Sequence, residues 1–527
     1  MSSKLETHPK QEVVFIARTL WGGGSEKVLY ELAHCLDRNR FTPTVLYFLE
    51  QENLVPYDPS ISTICLESEA DKNSKYQYQL QYVVALSFKQ KLLYILRAVY
   101  FVIPTAFREK INLPQWLSSI NAKKNQLSEI KSEANKSIWL VALSFKQKLL
   151  NFLRAVYYVI PTAIREKINL HQRLCSVKTK ENQLSDVTAE ANNIASPKYE
   201  MFDAIFEVWP MVLTLRKALD GFSQDAVLIP IEELNTVILW LSQLPPYRKV
   251  LASQHAPYSQ AQLIRYPEER VRQVKEWLYL NACRAADVVT FPSEVARWDL
   301  INNYQASPRR TLYMPNLIDC DAIPQKSRQP LPENLKLLNR KTVFTQVARL
   351  SYEKNPLLLV EACYLLRKKY DDFVVLYVGD GPLDATMREQ IDQKNLQDHI
   401  LLLGEQSNPY PYMAAARALL LTSRLESFGL VIAEAMLCGA VPITTDSGGP
   451  RELLCNGKFG LLLPLNDPRA FADAMYKIAT DDNLYSQLRE GALSWVLRFD
   501  APRAVKEWEE LILRIAENRI DDRTTKK

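Results

Sequence analysis

At 527 residues, with 47% hydrophobic and 24% charged side chains, the chain has the composition of a soluble globular protein with room for two or three domains. Its 8 cysteines are scattered without a Cys-x-x-Cys pair and it has only 5 histidines, which argues against a zinc site and against a disulfide framework. The net charge of +5 conceals a split, because residues 72–198 hold 20 Lys or Arg against 7 Asp or Glu, an excess of 13 that leaves −8 on the remainder. Such a segment points to a surface that meets an anionic partner, and its many apolar residues favour a membrane over nucleic acid.

The first dozen residues are polar, and too few apolar residues follow before Arg18 for a secretory or transit signal, so the chain is expected to stay in the cytoplasm. Residues 12–18 read as a short buried strand, Gly22-Gly23-Gly24-Ser25-Glu26 as a turn, and 27–36 as a helix. Strands follow at 44–49 and 61–66. The basic segment then contains a tandem repeat: 84–135 and 141–192 align without gaps at an offset of 57, with 37 of 52 positions identical. A period this long, present twice, is a duplicated insertion and not a solenoid.

Each copy has an apolar run, 92–103 or 149–160, interrupted by Arg97 or Arg154. Three readings compete. Spanning a membrane takes about 20 apolar residues, which makes it the weakest for runs of 12 broken by an arginine. In the other two, the helices pack on the protein, or they lie in a membrane interface with Lys89, Lys91, Arg108 and Lys110 and their counterparts Lys146, Lys148, Arg165 and Lys167 drawn to anionic lipid.

Beyond the insertion, strands are expected at 226–229, 249–253 and 287–291, then in a second series at 342–348, 373–378, 400–403, 418–422, 441–444 and 460–463. Helical patterns separate them, which implies parallel sheets with right-handed crossovers. The fold class is therefore α/β, with two doubly wound, Rossmann-like halves facing a cleft. The first domain is expected over 1–320, including the mostly helical insertion at 72–198. The second is expected over 335–500, and a C-terminal helix and polar tail over 501–527.

Ligands of such sheets bind at the carboxyl ends of the strands. Four loops there carry chemistry. The glycines at 22–24 allow main-chain amides to approach a phosphate. Arg349 and Lys354, after a strand, can neutralise a diphosphate. Gly379-Asp380-Gly381-Pro382 is a turn that could pass under a base or ribose. Finally Glu426-Ser427-Phe428-Gly429-Leu430 and Glu434 set carboxylates at the edges of an apolar helix start, and Asp446-Ser447-Gly448-Gly449-Pro450-Arg451-Glu452 opens another helix with a third glutamate. Glycine-opened amides suit phosphate, and carboxylates suit sugar hydroxyls. His255 ends a strand of the first half on the cleft side.

These motifs, in this order and together with Pro315-Asn316, resemble those of the retaining glycosyltransferases of family 4, which have the GT-B architecture. The resemblance covers all but the insertion and the tail. It implies a hexosyltransferase-type enzyme that moves a sugar from a nucleoside-diphosphate sugar to an acceptor hydroxyl with retained configuration. It implies donor contacts from Gly23, Gly24, Arg349, Lys354, Glu426, Phe428, Gly429, Leu430 and Glu434, with Glu434 on the ribose, Glu426 on the transferred sugar and His255 on its anomeric side. Ala348 and Leu317 stand where the family often has glycine.

No Asp-x-Asp motif stands in a suitable loop, so no metal and no cofactor beyond the donor are expected. The basic repeats suggest polysaccharide or glycolipid assembly on a membrane- or lipid-linked acceptor, with the chain peripheral on the inner face of the membrane and with no nucleic-acid partner. Two other classes compete: another GT-B reaction, epimerisation or phosphorolysis, and a non-catalytic membrane-bound scaffold.

Overall fold

A computed structural model describes residues 9–49 apart from 21 and 22, 60–66, 208–243 apart from 209 and 210, 248–335 apart from 334, and 341–518. All of them belong to one compact unit. The duplicated basic segment lies outside the described residues, as does Gly22 of the glycine turn.

The first half begins β1 (Gln11–Thr19), α1 (Gly24–Cys35), β2 (Phe41–Leu49), β3 (Ser62–Cys65). After the insertion it continues with β4 (Val227–Pro230), α2 (Glu232–Ser242), β5 (Lys249–Ser253), α3 (Tyr258–Arg265), α4 (Glu269–Ala285), β6 (Val288–Phe291), α5 (Glu294–Tyr304) and β7 (Thr311–Tyr313). A short helix α6 (Ala322–Ser327) leads to the second half: β8 (Thr342–Val347), α7 (Pro356–Arg367), β9 (Phe373–Val378), α8 (Asp384–Gln393), β10 (Ile400–Leu402), α9 (Tyr410–Ala415) and β11 (Ala418–Leu421). It ends with α10 (Leu430–Cys438), β12 (Val441–Thr445), α11 (Gly449–Leu453), β13 (Leu461–Leu463), α12 (Pro468–Thr480), α13 (Asp482–Val496) and α14 (Ala501–Ala516). Strand β7 is the one element of either sheet that the sequence pattern does not suggest; three residues are too few to show a period.

Both sheets are wholly parallel. Their strand orders are β3-β2-β1-β4-β5-β6-β7 and β10-β9-β8-β11-β12-β13. In each, the order reverses beside the first strand, and that switch point opens a crevice at the carboxyl ends of the flanking strands. The loops after β1 and β4 and those after β8 and β11 are thus where ligands belong. Phe15, in register with Val45 and Ile229, and Phe344, in register with Val375 and Ala418, mark the two switch-point strands. All six residues of β9 are buried, the pattern of a strand covered on both faces.

The final helix does not stay with the half that precedes it. Pro502 suits its first turn, and Ala501, Ala504, Val505, Trp508, Leu511, Ile512 and Ile515 repeat at helical spacing as one buried stripe. That stripe joins the core of the first sheet, beside Val13, Phe15, Leu29 and Leu32. Glu509 fastens it by accepting the Asp37 main-chain N–H at 2.8 Å and pairing with Arg40 at 2.9 Å. Where the chain crosses between the halves, the two connecting segments run side by side, with Ile318 donating to the Phe499 carbonyl at 3.1 Å and accepting from Ala501 at 2.9 Å. No helix among the described residues is long and apolar enough to cross a membrane.

Candidate active site

The loops after β8 and β11 are tied to one another before any ligand is considered. Thr422 donates its hydroxyl to the Lys354 carbonyl at 2.9 Å, Arg424 donates its main-chain N–H to the Glu353 carbonyl at 2.7 Å, and Arg424 NH2 reaches Asn355 Oδ1 at 2.8 Å. On this frame Lys354 Nζ lies 2.5 Å from Glu426 Oε1, which also accepts from Ser423 Oγ at 2.8 Å. Arg349 is exposed and makes no ion pair among the described residues.

The Gly379-Asp380-Gly381 turn holds the Arg349 loop in place. A Cβ on Gly379, at φ +141°, would fall 2.1 Å from the Ala348 carbonyl oxygen, and one on Gly381, at φ +158°, 2.5 Å from that of Leu350. Only glycine permits this approach. The sequence suggests that the turn passes under a base or ribose; in the fold its glycines back the neighbouring strand end.

Helix α10 opens at Gly429, and the main-chain N–H groups of Phe428, Gly429, Leu430 and Val431 have no hydrogen-bond acceptor among the described residues. These donors and the positive end of the helix make an anion- and hydroxyl-binding edge. The Phe428 side chain itself is in the core, edge-on to Phe499 at 5.4 Å, so only its main chain is available to a ligand. One turn into this otherwise apolar helix stands Glu434, 5% exposed. Its Oε1 accepts from Lys27 Nζ at 2.9 Å and from the Tyr410 hydroxyl at 3.5 Å. Lys27 belongs to α1 of the first half, so this ion pair crosses the cleft. Beside it, a Cβ on Gly24 would lie 3.7 Å from Leu430 Cδ1. Gly23 caps α1 in extended conformation.

In the first half, His255 follows β5, and its Nε2 is 3.1 Å from Ser253 Oγ. Burial pushes its pKa from 6.5 down to about 4, against the opposing charge of Glu232, so the ring is neutral at pH 7. Glu232 follows β4 at the switch point with φ +70°. Glu26, after β1, has its carboxyl pushed up by burial and then by Glu232, while accepting from Ser25 Oγ at 2.9 Å. No hydrogen bond joins His255 to Lys354 or Glu426 among the described residues.

The third glutamate of the sequence pattern does not join the other two. Glu452 reaches across to the first half and accepts the main-chain N–H groups of Glu294 at 2.9 Å and Val295 at 2.7 Å, capping α5. Its neighbour Gly449 is held so close to Ser427 that a Cβ would lie 2.0 Å from the carbonyl oxygen. Lys27, Tyr410, Glu26, Glu232 and the capping role of Glu452 escape the sequence pattern. Glu26 alone had a local signal, as the end of the glycine turn.

Residues 327–495 match the family model of the glycosyl transferases group 1. This part of the chain is a group 1 glycosyl transferase domain. The group 1 domain supplies Arg349, Lys354, Glu426 and Glu434, while Gly23, Gly24, Lys27 and His255 come from outside it. An uncharacterized glycosyltransferase of Methanocaldococcus jannaschii is 23% identical over 349 residues, which cover 58% of this chain and 84% of the relative. The Campylobacter jejuni N-acetylgalactosamine-N,N'-diacetylbacillosaminyl-diphospho-undecaprenol 4-alpha-N-acetylgalactosaminyltransferase is 28% identical over 223 residues, 42% of this chain. The match spans 59% of that relative's length. Among solved structures, Anabaena HepE in complex with UDP and glucose matches with a TM-score of 0.59 at 15% identity, covering 95% of this chain and 99% of HepE. Together with the two parallel sheets, this likeness shows the GT-B fold.

Proposed function

We propose that the chain transfers a sugar from a nucleoside-diphosphate sugar to an acceptor hydroxyl with retention of configuration. One observation carries the reading: the switch-point loops of both sheets meet, Lys27 on Glu434 and Gly24 beside Leu430, in a cleft that also holds Lys354 and Glu426. In this reading Arg349 and Lys354 take the diphosphate, and Gly23 and Gly24 add main-chain donors from the facing half. Glu434 takes the ribose hydroxyls, for which Lys27 and Tyr410 hold it in place. Glu426, with the amides of Phe428, Gly429 and Leu430, takes the transferred sugar, and neutral His255 faces its anomeric side.

The chemistry follows from where charge develops. As the bond from the anomeric carbon to the phosphate oxygen breaks, its electron pair leaves with the diphosphate and the sugar becomes oxocarbenium-like. Fixed cations and amides stabilise that departing charge. The acceptor oxygen bonds to the same face of the anomeric carbon, and its proton passes to the departing phosphate. Arg349 and Lys354 serve where other enzymes place a metal ion, so the reaction is metal-independent.

The acceptor is lipid-linked, and the chain works peripherally at the cytoplasmic membrane face in polysaccharide or glycolipid assembly. The basic duplicated segment supports this, as does the diphospho-undecaprenol acceptor in the name of the C. jejuni relative. Thermal stabilisation by a panel of nucleoside-diphosphate sugars identifies the donor, because a ligand that binds only the folded chain raises its melting temperature. Lys354→Ala should then lower turnover at least about 100-fold in a folded protein; near-normal turnover would overturn the assignment.

A further inference from the structure

A second pocket lies outside the donor cleft. It is open, about 470 Å³ in volume, and set between α3 and α5, with Pro257, Gln260, Trp298, Asp299, Asn302 and Glu452 on its walls. Trp298 is 45% exposed, an unusual surface position for so large an apolar ring. The ring is held from one side by Arg297, whose guanidinium carbon is 4.9 Å from the indole centroid. That guanidinium is itself anchored, Nε donating to the Thr311 carbonyl at 2.6 Å and NH1 to Glu294 Oε2 at 2.9 Å. The exposed part of the ring lines the pocket.

The carboxylate beside the ring is fixed as well. The Asp299 carboxylate accepts the Ser259 main-chain N–H at 2.8 Å and Asn303 Nδ2 at 2.8 Å. Gln260 and Asn302 are exposed. A rigid aromatic platform edged by amides and a carboxylate suits a sugar ring, whose C–H face packs on the indole while its hydroxyls bond to the polar rim. The acidic residues disfavour a phosphate-bearing ligand. Pro257 on the pocket wall is two residues past His255, so one edge of the pocket lies near the carboxyl end of β5.

We propose that this pocket binds the saccharide part of the acceptor, so that the acceptor is a glycan and not a single hydroxylated small molecule. The proposal rests on the glycosyl-transfer reading and deepens it. Its test is capture of the full-length chain on immobilised saccharides of defined structure, beside thermal stabilisation by nucleoside-diphosphate sugars. The wild-type chain is expected to bind at least one saccharide. Trp298→Ala should lose about tenfold in affinity, Asn302→Ala should lose part of it, and Trp298→Phe should keep most. All three variants should be stabilised by the donor as the wild type is, which also shows that they fold. Stabilisation by donor with no saccharide bound, or with Trp298→Ala and Asn302→Ala both unchanged, overturns the pocket and leaves glycosyl transfer standing. Failure of both ligands to bind overturns the two together.

Discussion

Glu434 is a nearly buried carboxylate on a helix that is otherwise apolar, and it pairs with a lysine from the facing half. A carboxylate that accepts ribose hydroxyls contributes about 1.5–3 kcal/mol through charge-assisted hydrogen bonds. Glu434→Gln should therefore raise the donor KM by about 10–100-fold with kcat less affected, a split that steady-state kinetics resolves. His255 gives a pH-dependent stability. Its folded pKa lies below its ordinary value, so the contribution of the neutral ring is fully present above pH 6.5 and is lost as pH falls toward about 4. Across that window the melting temperature of the wild type should fall more steeply than that of His255→Asn. Scans at a series of pH values check this; parallel curves would show that the ring is solvated.

Residues that stand in a loop or helix-start motif are visible in the sequence, whereas partners brought in by the fold, Tyr410 and Glu232 within a half and Lys27 and Glu452 across the cleft, are not. Arg349, Lys354, Glu426 and Glu434 stand in loops and a helix start whose local pattern announces them. Lys27 pairs with a residue 407 positions away, and Glu452 caps a helix 158 positions away. No local period records either, so Lys27 reads as an ordinary helix lysine and Glu452 as a third sugar ligand.

Among elements, the strands are placed within a few residues by their short apolar runs, because a parallel strand buried on both faces has little choice of composition. Helix α14 was equally visible as a helix, but its address was not. Its apolar stripe declares that one face is buried and does not say against which sheet. Trp508, 2% exposed, is the centre of that face. Trp508→Ala should cost about 3–5 kcal/mol, read as a lower urea midpoint. The loss belongs to the first half, so probes placed there should report the earlier transition.

For the whole molecule, the halves are joined by the crossing segments at Ile318 and Asp500, by the Glu452 cap on α5 and by the Lys27–Glu434 pair. None of these lies in the duplicated basic segment. Deleting residues 84–192 should therefore leave stabilisation by the donor unchanged. It should also abolish co-sedimentation with anionic vesicles, given the excess of 13 positive charges within 72–198. Vesicle binding unchanged by the deletion would place the membrane contact elsewhere.

The return of the last helix to the first sheet also governs how the protein is made. A ribosome adds about 5–20 residues per second, so β1 and α1 emerge on the order of half a minute or more before α14 exists. Through that interval Val13, Phe15, Leu29 and Leu32 lack the side chains that cover them in the finished core. Nascent chains halted short of Ala501 should stay protease-sensitive in their first half and occupy chaperones, and β1 and α1 become secure only when α14 has left the exit tunnel.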